Sequence, residues 1–273
     1  ITIKAFDTIS LNGSSLILAS VEVAKNNGQP SKPILNSQGI AFTGEGDAGD
    51  INITTGNLSL TGKRTSDNRK FDKRSFIIAD TKGKGKAGDI NINATGKISL
   101  DNDSIILAAV DRANREPGFP GGEGNAGSIN ITSGDINLNN QSLIIAGTSN
   151  KGDAGNIKIN STGNISLDTG SKIVTATGSE GITGQVEGNA GKIDITANSI
   201  SLNDFSVISA NTNRRAVIGT AGDINITTAN DLRLTNGSFI SAVTENDFNA
   251  GDININAQNL ELRSGGKIVT GTD

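Results

Sequence analysis

The sequence lacks five residue types completely. Its 273 residues include no Met, Cys, His, Trp or Tyr, and the only aromatic side chains are eight Phe. Without cysteine the chain has no disulfide, no thiolate nucleophile and no cysteine-bound metal, and without histidine it lacks the commonest general base and metal ligand. These absences exclude most familiar active sites, and they leave a core of Ile, Leu, Val and Ala.

Because methionine is absent, Ile1 is not an encoded start, and we expect the chain to be a processed product or a segment of a longer polypeptide. The formal net charge is -4 and the basic residues are scattered, so the sequence predicts no nucleic-acid partner. No apolar run approaches the roughly 18 residues of a membrane-spanning helix, so no membrane span is predicted.

One repeat fills the chain. After an Ala-Gly dipeptide, each copy has an I-x-I segment, an I-x-L segment and an S-x-I-x-A segment, as residues 129–146 show. Each segment alternates with period two, as half-buried strands do. The residues from Ile1 form a further copy without the dipeptide. We call the glycine of the dipeptide the anchor glycine, and it recurs as Gly49, Gly88, Gly127, Gly155, Gly191, Gly222 and Gly251.

Three strands in a unit as short as 28 residues, with no helical period, predict one turn of a right-handed parallel β-helix, and each turn should stack about 4.8 Å above the last. A barrel or sandwich is less favoured, because antiparallel pairing would not repeat one three-strand order. Length varies mainly in the loop after the third strand, apart from an insertion between Thr61 and Arg74. We predict one all-β solenoid segment over residues 1–273, with about eight turns starting near residues 1, 48, 87, 126, 154, 190, 221 and 250.

The Ala-Gly pair predicts a structural corner, at which Ala faces inward and the anchor glycine adopts a positive φ. A phosphate-binding loop is disfavoured because no helix follows the glycine. Asp50, Asp89, Asp223 and Asp252 directly follow their anchors, which raises calcium binding, but Lys192 stands at the same position in another copy. We therefore favour turn capping by short polar side chains and predict no metal site, while weak calcium binding at these corners stays open.

The outward positions of the first strand are polar. They stack Asn52, Asn91, Asn130, Asn225 and Asn254 in one column, beside Thr54, Thr132, Thr196 and Thr227 in the next. Hydrogen-bonded laddering between turns is favoured for this face over ordering of water or binding of glycans.

The outward positions of the third strand are apolar in the first four copies. Either the long loops from Glu22 to Gly46 and from Asp111 to Gly124 fold back over them, or they form a lateral surface for a neighbouring rod or partner. We call these residues the contact stripe: Leu16, Leu18, Phe76, Ile78, Ile105, Leu107, Leu143 and Ile145.

Some parallel β-helices degrade polysaccharides, using clustered Asp, Lys or Arg residues and often aromatic platforms for sugar rings. In this sequence the corner Asp residues lie one to a turn, and no pair of carboxyl groups suited to glycoside chemistry is identifiable. The sequence therefore predicts no enzyme, no catalytic residue and no cofactor.

Four strings, GDAGDINITTGNLSL, GKAGDININATGKISL, GNAGSINITSGDINL and GDAGNIKINSTGNISL, resemble the repeats of large filamentous-haemagglutinin-like exoproteins, especially cyanobacterial ones. The resemblance covers essentially the whole chain. It implies a secreted β-helical stalk at the cell surface, exported through an outer-membrane transporter in two-partner secretion and serving adhesion or surface-layer assembly. The secretion domain of that family, with its Asn-Pro-Asn-Gly type motif, is not among these residues, and the family's repeats supply no catalytic residues.

Taken together, these features predict a structural rod of an extracellular filament or adhesin, packing laterally or end to end with other β-helical segments. The alternative is a binding module, in which the loops around Arg112 to Gly124 and Gly178 to Gly188 recognise a host or cell-surface glycan or protein. A polysaccharide-degrading enzyme is the least favoured class. Neither end of the repeat array carries a cap, so we expect flanking turns or end-to-end stacking.

Overall fold

The prediction of an all-β parallel solenoid is confirmed. The computed structural model describes residues 1–21, 45–62, 74–110, 122–149, 151–177, 186–212, 216–245 and 247–272. Within those ranges the regular elements are all β-strands and there is no helix. The insertion expected between Thr61 and Arg74 falls largely at residues 63–73, outside the described part of the chain.

Each of the eight turns contributes three strands. The first four turns contain β1 (Thr2–Lys4), β2 (Thr8–Asn12), β3 (Leu16–Val21), β4 (Ile51–Thr55), β5 (Asn57–Thr61), β6 (Phe76–Thr81), β7 (Ile90–Ala94), β8 (Ile98–Asp101), β9 (Ile105–Val110), β10 (Ile129–Ser133), β11 (Ile136–Leu138) and β12 (Leu143–Thr148). The fifth and sixth turns contain β13 (Ile157–Ser161), β14 (Asn164–Leu167), β15 (Lys172–Thr177), β16 (Val186–Glu187), β17 (Ile193–Ala197), β18 (Ser199–Leu202), β19 (Val207–Thr212) and β20 (Ala216–Ile218). The last two contain β21 (Ile224–Thr228), β22 (Asp231–Leu234), β23 (Phe239–Thr244), β24 (Ile253–Asn256), β25 (Asn259–Leu262) and β26 (Lys267–Thr272).

The strands stack into three parallel eight-stranded sheets, which we call the first, second and third sheets after the order of their strands in each turn. The first sheet runs β1-β4-β7-β10-β13-β17-β21-β24, the second β2-β5-β8-β11-β14-β18-β22-β25, and the third β3-β6-β9-β12-β15-β19-β23-β26. A short parallel pair, β16 and β20, lies outside the three sheets. Every interior turn therefore hydrogen-bonds to the turns before and after it.

The core follows from the alternation in the sequence. Along Ile129–Ser133 buried and exposed residues alternate strictly, because successive side chains of a strand point to opposite faces. In-register pairing then places like residues above one another, so that Ile144 lies between Ile106 and Ile173. All three are completely buried. The interior is a stack of aliphatic layers that close only when a turn has neighbours on both sides.

The serine that opens the third strand closes the corner before it. In the fourth turn Asn140 and Gln141 have φ values of 52° and 63°, and two successive positive φ values are those of a type I′ turn. The backbone N–H of Ser142 donates to the Asn139 carbonyl oxygen at 3.3 Å, and the Ser142 hydroxyl donates to the same oxygen at 2.7 Å. The equivalent hydroxyls of other turns bond in the same way, those of Ser104, Ser171 and Ser206.

Candidate functional site

The contact stripe lies on the outward face of the third sheet. In-register pairing brings Leu16 beside Phe76, Phe76 beside Ile105 and Ile105 beside Leu143, so the stripe is continuous across four turns. Leu16 and Leu18 have 51% and 37% of their surface exposed, and most of the others are partly buried. Ile105 is only 8% exposed and is the most covered member of the stripe.

Two predictions about loops fall outside the described residues. The segments expected to cover the stripe are largely residues 22–44 and 111–121, and the second loop of the alternative binding module is largely residues 178–185. The loop around Arg112 to Gly124 likewise lies mostly in the range 111–121.

The anchor glycines form a corner, but for a different reason from the predicted one. None of the seven has a positive φ. A Cβ atom built on Gly155 would lie 1.9 Å from the carbonyl oxygen of Gly127, the anchor of the preceding turn. Similar clashes with the preceding anchor, at 1.9 to 2.3 Å, would arise from Gly88 to Gly251, whereas Gly49 has nothing within 4 Å. Close stacking of backbones, and not left-handed conformation, requires glycine at these corners.

A second glycine column does adopt the left-handed region, and sequence reasoning missed it. Three residues before each of six anchors stands a glycine with φ between 128° and 157°. The signal was present in the sequence as G-x-A-G, since only the last copy departs from it with Phe248. The column consists of Gly46, Gly85, Gly124, Gly152, Gly188 and Gly219.

The corner Asp side chains hold the next turn of the rod. Asp50 Oδ1 accepts the backbone N–H of Asp89 at 2.8 Å, and Asp89 Oδ1 accepts that of Ser128 at 2.7 Å. Asp223 makes the same bond to Asp252 at 2.9 Å. Turn capping is confirmed for Asp50, Asp89 and Asp223, with the refinement that the capped N–H belongs to the following turn. Within the described ranges, no group of three or more acidic side chains is arranged to hold a metal ion.

A second capping column lies three residues before the first, and the sequence interpretation did not include it. Asp47 accepts the backbone N–H of Lys86 at 2.7 Å, and Asp153 accepts that of Asn189 at 2.8 Å. Asn125 accepts the N–H of Asp153 at 3.0 Å in the same manner. Two short side chains in each such corner therefore replace the backbone acceptors that a continuous strand would supply.

Asp89 provides a direct test of this capping. In Asp89→Ala the Ser128 N–H loses its acceptor, so we expect the free energy of unfolding to fall by about 1–2 kcal/mol in urea denaturation. Asp89→Asn keeps an oxygen at the same place, and we expect a change below about 0.5 kcal/mol. If Asn were as damaging as Ala, or if added calcium stabilised the wild type and not the Asn variant, the carboxylate charge and not the acceptor would be the important property.

Charges alternate in sign along the corner that precedes the first sheet. Glu45, Lys84, Glu123, Lys151 and Glu187 pair in succession through parallel bridges, one to a turn. The Lys84 Nζ lies 3.5 Å from Glu123 Oε2, and Lys151 Nζ lies 3.3 Å from Glu187 Oε1. Exposed pairs of this kind contribute at most about 1 kcal/mol each. Their alternation keeps like charges two turns apart along the rod.

The outward face of the first sheet carries two polar columns of different character. In the first, which we call the closed column, amide groups bond to one another along the rod: Asn91 Nδ2 donates to Asn52 Oδ1 at 3.0 Å, and Asn130 Nδ2 donates to Asn91 Oδ1 at 2.9 Å. Asn225 donates likewise to Asp194 at 2.8 Å. The predicted laddering is therefore confirmed for this column.

The second column, two residues further along each strand, makes no such ladder. In the second to eighth turns its side chains are exposed and uncharged, and none of them forms a side-chain hydrogen bond within the described part of the protein. The first-turn position is Lys4, which pairs in register with Thr54. We call it the open column: Thr54, Asn93, Thr132, Asn160, Thr196, Thr227 and Asn256, which pair in register from turn to turn.

Comparisons with protein families, curated proteins and solved structures found no match to this chain. The described residues contain no helix that is long and apolar enough to cross a membrane. What the chain can do is therefore inferred from the faces and corners of the solenoid described above.

Proposed function

We propose that this chain is a structural rod segment of a secreted, cell-surface filament of the filamentous-haemagglutinin-like type. One observation carries the proposal: three parallel sheets continue in register through eight turns, so that length along the sequence becomes reach along an axis. Eight turns at about 4.8 Å each span roughly 35 to 40 Å. In this role the chain acts through its length and stiffness, as a spacer.

The chemistry of the corners supports a spacer. The amides and carboxylates of the corners and of the closed column are largely engaged in bonds to neighbouring turns, as at Asp89 and Asn91. Such groups stabilise the stack and are not left converging on a pocket. Adhesion in this proposal resides in surfaces that the rod presents at a distance from the cell, and export proceeds through an outer-membrane transporter.

Assembly in this proposal uses the ends and the contact stripe. In the last turn Leu260 and Leu262 are 50% and 45% exposed, whereas Leu232 and Leu234 one turn earlier are completely buried. Further turns of a filament, or another rod, would cover these side chains and recover the burial that interior turns have. The exposed Leu16 and Leu18 offer a lateral contact at the opposite end of the stack.

Electron microscopy of the native material tests the proposal. We expect unbranched rods of constant width on the cell exterior, in which this segment accounts for roughly 35 to 40 Å of length. Compact particles, or a location inside the cell, would contradict it. The lateral arm is tested with Leu16→Lys and Leu18→Lys, which lie at exposed positions and should reduce association of rods while leaving their melting temperature unchanged. A paired substitution on the second sheet, Ser10→Lys with Ser59→Lys, is the matched control.

A further inference from the structure

Neighbouring columns on one face of the first sheet treat their polar groups in opposite ways. The closed column satisfies its amides along the rod, as in the 3.0 Å bond from Asn91 to Asn52. The open column, on the same strands, directs seven exposed hydroxyl and amide side chains to solvent without a bond between them. Laddering between turns therefore explains the first column but not the second.

We propose that the open column is a linear binding track for an uncharged polysaccharide, laid along the axis of the rod. The inference depends only on the fold and on this column, so it stands or fails separately from the proposed filament. Threonine and asparagine side chains both donate and accept hydrogen bonds, which matches the hydroxyl groups of a sugar.

The charge of the face indicates an uncharged ligand. All seven members of the open column are neutral, and the charged residue in register with them is Lys4, beside Thr54 in the first turn. The adjacent closed column carries one cation, Lys158, and one anion, Asp194, and the anion is paired with Lys192 at 3.2 Å. A polyanion or polycation would thus find no row of opposite charges along the seven members of this track. A neutral polysaccharide binds through hydrogen bonds and does not need an opposite charge on the track.

The shape of the array indicates a linear ligand. Consecutive members stand about 4.8 Å apart along the rod, and six steps cover roughly 29 Å. Among the described residues of this face, the neighbouring column is bonded to itself from Asn52 to Asn130 and from Asp194 to Asn254, which leaves one open column. A two-dimensional lattice such as ice would need several parallel open columns. One row of regularly spaced groups fits one extended chain.

Each contact in such a track exchanges a hydrogen bond to water for a hydrogen bond to sugar, so a single contact contributes little to the binding free energy. Contacts to one continuous ligand add their contributions, because each further contact is intramolecular once the first has formed. We therefore expect affinity to rise steeply with the length of the polysaccharide. Short oligosaccharides of the same composition should bind too weakly to detect.

The test measures binding of the 273-residue chain to dextran, a mixed-linkage β-glucan and a galactomannan, each in long and short forms, with alginate as the charged comparison. Thr132→Val, Thr196→Val and Thr227→Val together remove three hydroxyls while preserving shape and strand preference. We expect this variant to bind at least one long neutral polysaccharide about ten-fold or more weakly than the wild type. Melting temperature should be unchanged.

Matched controls separate the track from general surface effects. Ser10→Ala, Ser59→Ala and Ser99→Ala remove three hydroxyls from one column of the second sheet, and binding should be retained. Thr196→Lys, which inserts a long cation in the middle of the track, should abolish binding in a folded protein. The proposal is overturned if no neutral polysaccharide binds, if the valine variant binds as the wild type does, or if the wild type depresses the freezing point of water and binds no polysaccharide.

Discussion

Gly155→Ala is expected to destabilise the protein by about 2–4 kcal/mol, because its new Cβ atom has no space and overpacking in a tight stack typically costs 1–3 kcal/mol or more. The atom would lie 1.9 Å from the carbonyl oxygen of Gly127 and 2.5 Å from its carbonyl carbon. Both partners are backbone, so no side-chain rotation relieves the contact. The two turns must separate at this corner, and the neighbouring sheet bonds lengthen with them.

The matched control is Gly49→Ala, which changes the same motif at the first corner. A Cβ atom there has nothing within 4 Å, so we expect a change below about 0.5 kcal/mol. Urea denaturation gives both free energies, and amide hydrogen exchange locates the damage. Protection of backbone amides from hydrogen exchange should be lost first in the strands on either side of Gly155. If the two substitutions had equal effects, the intrinsic flexibility of glycine, and not the stacking distance, would explain why glycine recurs at the anchor position.

Ile144→Ala is expected to cost about 3–5 kcal/mol, since a fully buried Ile is replaced where neighbouring turns prevent collapse. The same change at Ile268, in the same column of the last turn, should cost about 1–2 kcal/mol because this side chain is only partly buried. In a solenoid each turn contacts only its neighbours, so an interior defect weakens two interfaces and an end defect weakens one. If the losses in free energy of unfolding of the two variants differed by less than about 1 kcal/mol, this nearest-neighbour picture would be contradicted.

Denaturation of Ile144→Ala should also lose its single transition. The fourth turn joins two halves of the stack, and a weakened joint lets one half open before the other. Hydrogen exchange measured at low urea should therefore show turns on the two sides of Ile144 exchanging at different concentrations. The Ile268→Ala variant is expected to keep the wild-type pattern except in the last turn.

The strands and the core were predictable from sequence because strand alternation and in-register stacking leave a direct trace. Isoleucine at every second position defines the inward face, and repetition at a short period defines which turn lies above which. The corners were only partly predictable. Glycine at position 155 signals a restriction, but sequence does not show whether the restriction is a positive φ or a backbone 1.9 Å from a missing Cβ atom.

The surfaces show a similar division. Asn91 and Asn93 are the same residue type on one strand and face the same side, yet the first is bonded into a ladder and the second is not. Composition cannot separate them, because the difference arises from side-chain conformation and from the neighbours above and below. Ile105 reads as outward and apolar in the sequence, and only its surroundings show that it is covered.

The side-chain hydrogen bonds of the corner Asp residues share one direction along the rod. Asp50 receives an N–H from the turn that follows it, and so do Asp89 and Asp223. Each of these turns therefore offers a carboxylate acceptor that its successor fills. Backbone bonds at the same corners run the opposite way, since the N–H groups of Ala48 and Ile51 donate to carbonyl oxygens of the following turn. The side-chain acceptors of these corners therefore all face the later end of the stack. Two such rods can continue this side-chain pattern only head to tail, so a filament built from them has two different ends.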